Sequence, residues 1–242
     1  MKTDIIDVHS HILPGIDDGA GDMEETRAML RMAYDNGIRK IIATPHYQAG
    51  QPKTYVERIK EAVRKVQLAA SEIDPEFAIY GGNEILYFDG AADKLKEGEI
   101  LTLADSSYIL VEFPVGVSYN SLYQAIRKLA MAKYRPIIAH AERFSCLREP
   151  GNLEEAKEAG AFIQINYSSL QRGWFQGDCR WCRKQILEGR VHLLGTDMHN
   201  MTSRPPQIGQ ALSWLEKKLQ PSRLNQLLSD NPEAVLSNIK LE

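Results

Sequence analysis

Short apolar runs alternate with amphipathic, capped stretches along the whole chain, which predicts strand followed by helix throughout. Asp4–Val8 reads as a buried strand. Asp22 is placed as an N-cap with Glu25 as its capping-box partner, and Met23, Arg27, Leu30 and Ala33 carry a helical period to a stop at Gly37. Lys40–Thr44 is the next strand, closed by Pro45, and is followed by a helix over Thr54–Ser71 and a strand at Phe77–Gly81. Asp89–Glu97 predicts a short helix, Tyr108–Glu112 a strand, Ser121–Lys133 a helix and Pro136–Ala139 a strand. Leu153–Ala159 reads as a helix ended by Gly160, Phe162–Asn166 and Val191–Gly195 as the last strands, with a helix near Cys182–Glu188 between them. The tail predicts helices at Pro205–Leu219, Pro221–Ser229 and Pro232–Ile239. Seven strands, each followed by helix-compatible sequence, imply an α/β fold with a parallel sheet, and their regular spacing fits a closed or nearly closed barrel. No repeat, low-complexity tract or linker divides the chain, so residues 1–242 are expected to form a single domain.

Composition narrows the function classes. The chain is 43% hydrophobic and 25% charged, which suits a soluble globular protein with a sizeable core. A formal net charge of −3 argues against a surface built for nucleic acid or an anionic membrane. No apolar run approaches the roughly 18 residues needed to cross a bilayer, and the start lacks a signal-peptide h-region, so a cytoplasmic protein is expected. Three cysteines make no disulfide framework.

The six histidines carry the chemistry. In a parallel βα barrel the reactive groups sit at the C-terminal ends of the strands. His9 and His11 follow the first predicted strand, His46 the second and Glu84 the third. Glu112 ends the fourth, the fifth runs into His140, the sixth ends in Asn166, and Asp197 and His199 follow the seventh. His-x-His on a strand places both rings on one face, and Asp197-x-His199 repeats the spacing. Either pair alone would signify little. Apolar strands that repeatedly finish in a ligand type signify more, because an unpaired buried carboxylate or imidazole is costly. Imidazole with carboxylate and no thiolate suits Mn, Fe or Zn, and so many ligands imply several ions with a bridging carboxylate. His192, near the start of the seventh strand, reads as structural.

The stretch Asp7-Val8-His9-Ser10-His11-Ile12-Leu13-Pro14-Gly15-Ile16-Asp17-Asp18-Gly19-Ala20 closely resembles the opening of the bacterial capsule and exopolysaccharide tyrosine phosphatases. These are manganese-dependent members of the polymerase and histidinol phosphatase (PHP) superfamily. Ala43-Thr44-Pro45-His46, Gly82-Asn83-Glu84-Ile85, Leu110-Val111-Glu112-Phe113-Pro114, Ile138-Ala139-His140-Ala141-Glu142-Arg143 and Thr196-Asp197-Met198-His199-Asn200 extend the resemblance in order. It implies a distorted seven-stranded, TIM-like PHP barrel with three divalent ions, Mn2+ foremost and Fe, Zn or Mg as alternatives. Carried over, His9, His11, Glu84 and Asp197 would hold one ion, with Glu84 bridging to a second completed by Glu112 and His140. Asp18, His46 and His199 would hold the third, with Asp17 the alternative to Asp18. Arg143 and Arg204 match the family's phosphate-binding arginines. Ala141 and Asn83 depart from its usual Pro and Gln without removing a ligand.

The implied activity is hydrolysis of phosphotyrosine, on the tail of a bacterial tyrosine autokinase that controls polysaccharide export, by attack of a metal-bound hydroxide. His199, Asp197 or a bound water would assist the leaving group. The alternatives are a small-molecule phosphomonoesterase of the histidinol-phosphate phosphatase kind and a non-catalytic metal-binding regulatory domain. Thiolate chemistry is excluded by spacing: a Cys-x5-Arg loop is absent, since Asn152, Gln185 and Glu188 stand where Arg is required after Cys146, Cys179 and Cys182. Cys179-x2-Cys182 lacks a second ligand pair and reads as packing; Trp174, Phe175 and Trp181 flank it as core or as a lip for an aromatic substrate.

Overall fold

The computed structural model describes residues 4–171 and 176–241. Its strands are β1 (Ile5–Ser10), β2 (Ile38–Ala43), β3 (His46–Tyr47), β4 (Ala78–Gly81), β5 (Glu84–Leu86), β6 (Tyr108–Glu112), β7 (Arg135–Ile138), β8 (Phe162–Asn166) and β9 (Leu193–Gly195). Between and after them run α1 (Met23–Asp35), α2 (Tyr55–Ser71), α3 (Ala91–Lys96), α4 (Tyr119–Met131), α5 (Asn152–Glu158), α6 (Gln176–Leu187), α7 (Gly209–Lys218), α8 (Pro221–Asn225) and α9 (Asn231–Leu236). The strands pair in the orders β1-β2-β4 and β3-β5-β6-β7-β8-β9, and every pairing is parallel. Parallel strands need crossover helices, and these cover the outside of the curled sheet. The curl brings the two chain ends of the sheet together. Asp197 N donates to His9 O at 2.9 Å and His11 N to Met198 O at 2.9 Å.

Nine segments stand where seven strands were expected. The second and third expected strands are each interrupted, at Thr44-Pro45 and at Gly82-Asn83. Pro45 has no N–H to give the ladder. At Gly82 a Cβ would come within 2.7 Å of Leu103 Cδ2 and 3.3 Å of its Cα, so any larger residue would force the buried Leu103 to shift. Asn83 then bridges the break, donating to Pro45 O at 2.9 Å and accepting from Leu101 N at 2.9 Å. His46 and Glu84 therefore resume a ladder, paired with each other in register, where loop positions were expected.

Both faces of the strands are buried, as in sheets covered by helices. Val8, Ile42, Leu110, Ile137, Ala139 and Leu193 form one cluster with Val235 and Leu241. A larger one joins Ile41, Ile109, Val111, Ile138, Ile163 and Leu194 to apolar helix faces such as Met29, Ile59, Leu122 and Ile126. Asp22 caps α1 through Glu24 N and Glu25 N, both at 2.9 Å. Glu25 reaches back one residue further than a capping box, to Gly21 N. Gly37 takes φ +95°, the left-handed stop expected of it. The helix expected from Pro205 begins only at Gly209. Pro206 disfavours helical backbone at Pro205, and Gln207 N turns back to Pro205 O at 2.7 Å. α6 starts at Gln176, ahead of the expected Cys182, and α9 stops at Leu236, short of Ile239. Trp174 and Phe175 lie outside the described residues. Trp181 packs against the larger cluster, and Cys179 and Cys182 are buried.

Candidate functional site

At the C-terminal ends of the strands, four overlapping groups bring together atoms able to ligate a metal ion. They are His11–Asp18–His46–His199, His9–His11–Glu84, His9–His140–Asp197 and His46–Glu84–Glu112. Among the described residues these groups contain all nine expected ligands and no other residue. The grouping is more shared than the expected three shells. His11 faces Asp18, His46 and His199 as well as Glu84, and His46 faces Glu84 and Glu112. Glu84 lies at the centre. Its Oε1 is 2.7 Å from His140 Nε2, and its Oε2 is 3.3, 3.2 and 3.1 Å from His9 Nε2, His11 Nε2 and His46 Nδ1.

The spacing of these donors fits an ion. His9 Nε2 and His11 Nε2 are 3.2 Å apart, and they lie 3.4 and 3.5 Å from Asp197 Oδ1. Four donors placed about 2.1 Å from one ion at tetrahedral corners are about 3.4 Å from each other. Glu84 Oε2 and Asp197 Oδ1 are buried and take part in no directed hydrogen bond. Bare carboxylate oxygens inside a protein are costly unless a positive charge sits between them.

Local backbone aims these side chains inward. His140 and Asp197 adopt left-handed φ of +31° and +52°, which costs non-glycine residues about 1–3 kcal/mol. Each is held there by a bond from its own N–H, His140 to Gln164 Oε1 at 2.7 Å and Asp197 to His9 O at 2.9 Å. The buried Asp7 ties β1 to the segment after β9, accepting from Thr196 N at 2.9 Å and Thr196 Oγ1 at 2.5 Å. Burial pushes its carboxyl up to about 6 against those bonds.

Asp17 and Asp18 part company. Asp17 Oδ2 accepts from His11 Nδ1 at 2.8 Å and His46 N at 2.9 Å, and Oδ1 from Gly19 N at 3.0 Å. It thereby fixes the His11 ring with Nε2 turned to the cluster. Asp18 Oδ1 faces His46 Nε2 at 3.4 Å and His199 Nε2 at 3.6 Å. Gly19 makes this loop feasible, since a Cβ there would sit 2.0 Å from His11 O.

Arg143 and Arg204 converge on Asp197 Oδ2, the former at 2.7 Å. Arg204 Nη1 also donates to His199 Nε2 at 2.8 Å, while His199 Nδ1 donates to Asp197 O at 3.0 Å. The side chain of Asn200 folds the intervening loop, accepting from Thr202 N, Ser203 N and Arg204 N at 3.0, 2.8 and 3.2 Å. Exposure rises toward one side. Glu84, His140 and Asp197 are at most 2% exposed, against 36% for Arg204, 41% for Arg143 and 67% for Asp18. The arginines thus stand at the mouth of the cluster. His192 lies apart from it, accepting from Ile163 N at 2.9 Å, and burial with nearby Lys157 and Arg223 pushes its pKa down to about 4.

Sequence reasoning missed the supporting residues. Gln164 and Asn166 link His9 to Asp197, and Glu142 accepts from Asn166 N at 3.0 Å and Ser169 Oγ at 2.6 Å, fixing the segment after β8. Polar residues inside the apolar run Phe162–Asn166 were the available signal.

The electrostatics favour cations. Burial works to lower His11 and His46, but Asp17 and Glu84 raise the first to about 9, and Glu112 and Glu84 raise the second to about 11. Burial opposes ionisation of Glu84, and the surrounding imidazoles still hold it well below the usual carboxylate range. At pH 7 the metal-free cluster therefore holds protons on His11 and His46. A ligating imidazole must be neutral, so ion uptake expels protons and affinity rises with pH. Titration calorimetry with Mn2+ at pH 7 is expected to give an apparent enthalpy that depends on the buffer's ionisation enthalpy, with net proton release. A buffer-independent enthalpy would show that these imidazoles hold no displaceable proton.

Comparison with known proteins decides the family. The model for capsular polysaccharide synthesis proteins of the CpsB/CapC type matches residues 5–237. The chain belongs to the CpsB/CapC family. This CpsB/CapC chain is 34% identical over 238 residues to the tyrosine-protein phosphatase CpsB of Streptococcus pneumoniae, covering 96% of this chain and 98% of that one. It is 35% identical over 236 residues to the tyrosine-protein phosphatase YwqE of Bacillus subtilis, covering 97% and 92%. A solved structure from the pair YwqE of B. subtilis and CpsB of S. pneumoniae, described as unique metal-dependent tyrosine phosphatases, matches with a TM-score of 0.89. That match is at 33% identity and covers 98% of this CpsB/CapC chain and 96% of the other.

Proposed function

We propose that this chain is a metal-dependent protein-tyrosine phosphatase acting in capsule or exopolysaccharide synthesis. The observation that carries the reading is the buried His/Asp/Glu cluster opening onto two guanidinium groups, in a chain that aligns end to end with tyrosine phosphatases. In this reading His9, His11, Asp18, His46, Glu84, Glu112, His140, Asp197 and His199 would hold three divalent ions, with Mn2+ the favoured metal, and the four overlapping donor groups support it. The ions, when bound, supply an activated water nucleophile at neutral pH and offset the charge of the phosphate.

The residues of the chain do the rest. Arg143 and Arg204 receive the phosphate oxygens as planar forks. His199, which takes a hydrogen bond from Arg204, and Asp197, the anchor of both arginines, are the side chains assigned to assist the leaving group. Phenolate leaves with a pKa of about 10, so its departure asks less of a general acid than an alkoxide does. The outward rise in exposure suits a protein tail better than a metabolite enclosed on all sides. The partner is the phosphotyrosine tail of a bacterial tyrosine kinase, met in the cytoplasm. No helix among the described residues is long and apolar enough to cross a membrane.

The architecture that carries this site is a distorted seven-stranded βα barrel in one domain, residues 1–242. In it β2 with β3, and β4 with β5, each count as one interrupted strand, and the bonds between β1 and the segment after β9 close the ring.

Rates on a phosphotyrosine peptide, a phosphoserine peptide and histidinol phosphate, measured side by side with Mn2+, test the activity. The phosphotyrosine peptide is expected to be fastest by at least about tenfold in kcat/KM, a barrier difference of about 1.4 kcal/mol. Faster turnover of histidinol phosphate would favour a metabolite phosphatase, and no turnover of any substrate would favour a regulatory metal-binding domain.

A further inference from the structure

We infer that Gln164 is a positioning residue that sets the tautomer of His9 and ties three ligands of the cluster into one hydrogen-bonded unit. The inference rests on the metal-site reading above. Gln164 is fully buried on β8, and its Oε1 lies 3.2 Å from His9 Nδ1. The same oxygen accepts from His140 N at 2.7 Å. A backbone N–H only donates, so that corner of the amide must be its oxygen. An oxygen facing His9 Nδ1 requires a proton on Nδ1, which leaves the Nε2 lone pair free toward Glu84 and Asp197.

The other end of the amide confirms its orientation. Gln164 Nε2 donates to Asn166 Oδ1 at 2.8 Å, and Asn166 Nδ2 donates to Asp197 Oδ2 at 2.8 Å. A carboxylate oxygen only accepts, so the direction of every bond from Asp197 back to His9 is determined. One amide thus orients the His9 ring, supports His140 in its left-handed turn and steadies Asp197 through Asn166. Glutamine suits the position because it must accept twice and also donate. Asp17 gives His11 the first of these services, a proton acceptor at Nδ1, by means of a carboxylate.

Gly195 provides the space. A Cβ there would lie 2.7 Å from His9 Cβ and 2.9 Å from Gln164 Nε2. Glycine on β9 lets the amide and the imidazole meet, and its φ is not in the left-handed region that would otherwise demand it.

Mn2+ titrations of wild-type, Gln164→Leu and Gln164→Glu proteins, alongside melting curves of the metal-free forms, test this. Gln164→Leu removes the acceptor and is expected to weaken Mn2+ binding by about 10- to 100-fold. Gln164→Glu keeps an acceptor for His9 and His140 and is expected to recover most of that affinity. Wild-type affinity in Gln164→Leu would overturn the inference, as would equal losses in both variants when both melt like wild type. Should Gln164→Leu fail to fold, nitrogen-15 spectra of the Zn2+-loaded wild type provide the decision. The His9 proton is expected on Nδ1, and a ring protonated on Nε2 overturns the assignment. Failure of the wild type itself to bind Mn2+ would overturn the metal-site reading and this inference together.

Discussion

The His140→Ala protein is expected to fold and to lose Mn2+-stimulated hydrolysis of an aryl phosphate by at least about three orders of magnitude, the several kcal/mol that a correctly held metal supplies. His140 is 2% exposed, and its Nε2 lies 2.7 Å from Glu84 Oε1 and 3.7 Å from Glu112 Oε2. Removing the ring deletes one proposed ligand and also takes from Glu84 the nitrogen nearest its Oε1. Two of the candidate donor groups share Glu84, so the damage should spread beyond one of them. Alanine also inherits the left-handed backbone at position 140, with a stability cost of about 1–3 kcal/mol. Rates with Mn2+, circular dichroism and a melting curve separate lost chemistry from lost fold. Undiminished activity would remove His140 from the site.

Arg143→Ala and Arg204→Ala are each expected to lower kcat/KM for a phosphotyrosine peptide by about 10- to 100-fold, the worth of a charge-assisted hydrogen bond. Their effects should divide differently. Arg143 contacts Asp197 alone in the cluster, so its loss should be felt mainly in KM. Arg204 also donates to His199, so its loss should lower kcat as well. Both guanidinium groups share Asp197 Oδ2, and the double variant should fall short of the product of the two effects. Arg143→Lys should not restore activity, because an ammonium cannot reproduce the planar fork. Steady-state kinetics on the four variants check this, and wild-type kcat/KM in both single alanine variants would place the phosphate elsewhere.

That His9, His11, His46, Glu84, Glu112, His140, Asp197 and His199 gather at one rim was legible in sequence because each terminates or closely follows an apolar strand, where a charged or imidazole side chain has no cheap structural reason to be; Asp18 came only from the family resemblance. Their second layer was not legible. Gln164, Glu142 and Asn200 are ordinary polar residues whose roles depend on partners such as His9, Asn166 and Arg204, and three-dimensional closure supplies several of these. The choice between Asp17 and Asp18 was open for the same reason. Adjacent carboxylates look alike in sequence, and only the His11 ring and His46 N distinguish them. The breaks at Pro45 and after Gly81 were read as strand ends, and the resumption of the ladder at His46 and Glu84 escaped notice because two- and three-residue strands leave no periodic pattern. The late start of α7 was legible in principle, from Pro206 acting on the residue before it.

His9 and Asp197 meet through the bond between β1 and the segment after β9, although nearly the whole chain separates them. Such a contact is among the last that loop-closure entropy allows during folding. A nascent chain still missing its final strand and the Arg204 loop has most of the imidazoles and Arg143, but lacks Asp197, His199 and the second guanidinium. The cluster is therefore assembled only once the segment after β9 has met β1, so its completion is tied to completion of the fold.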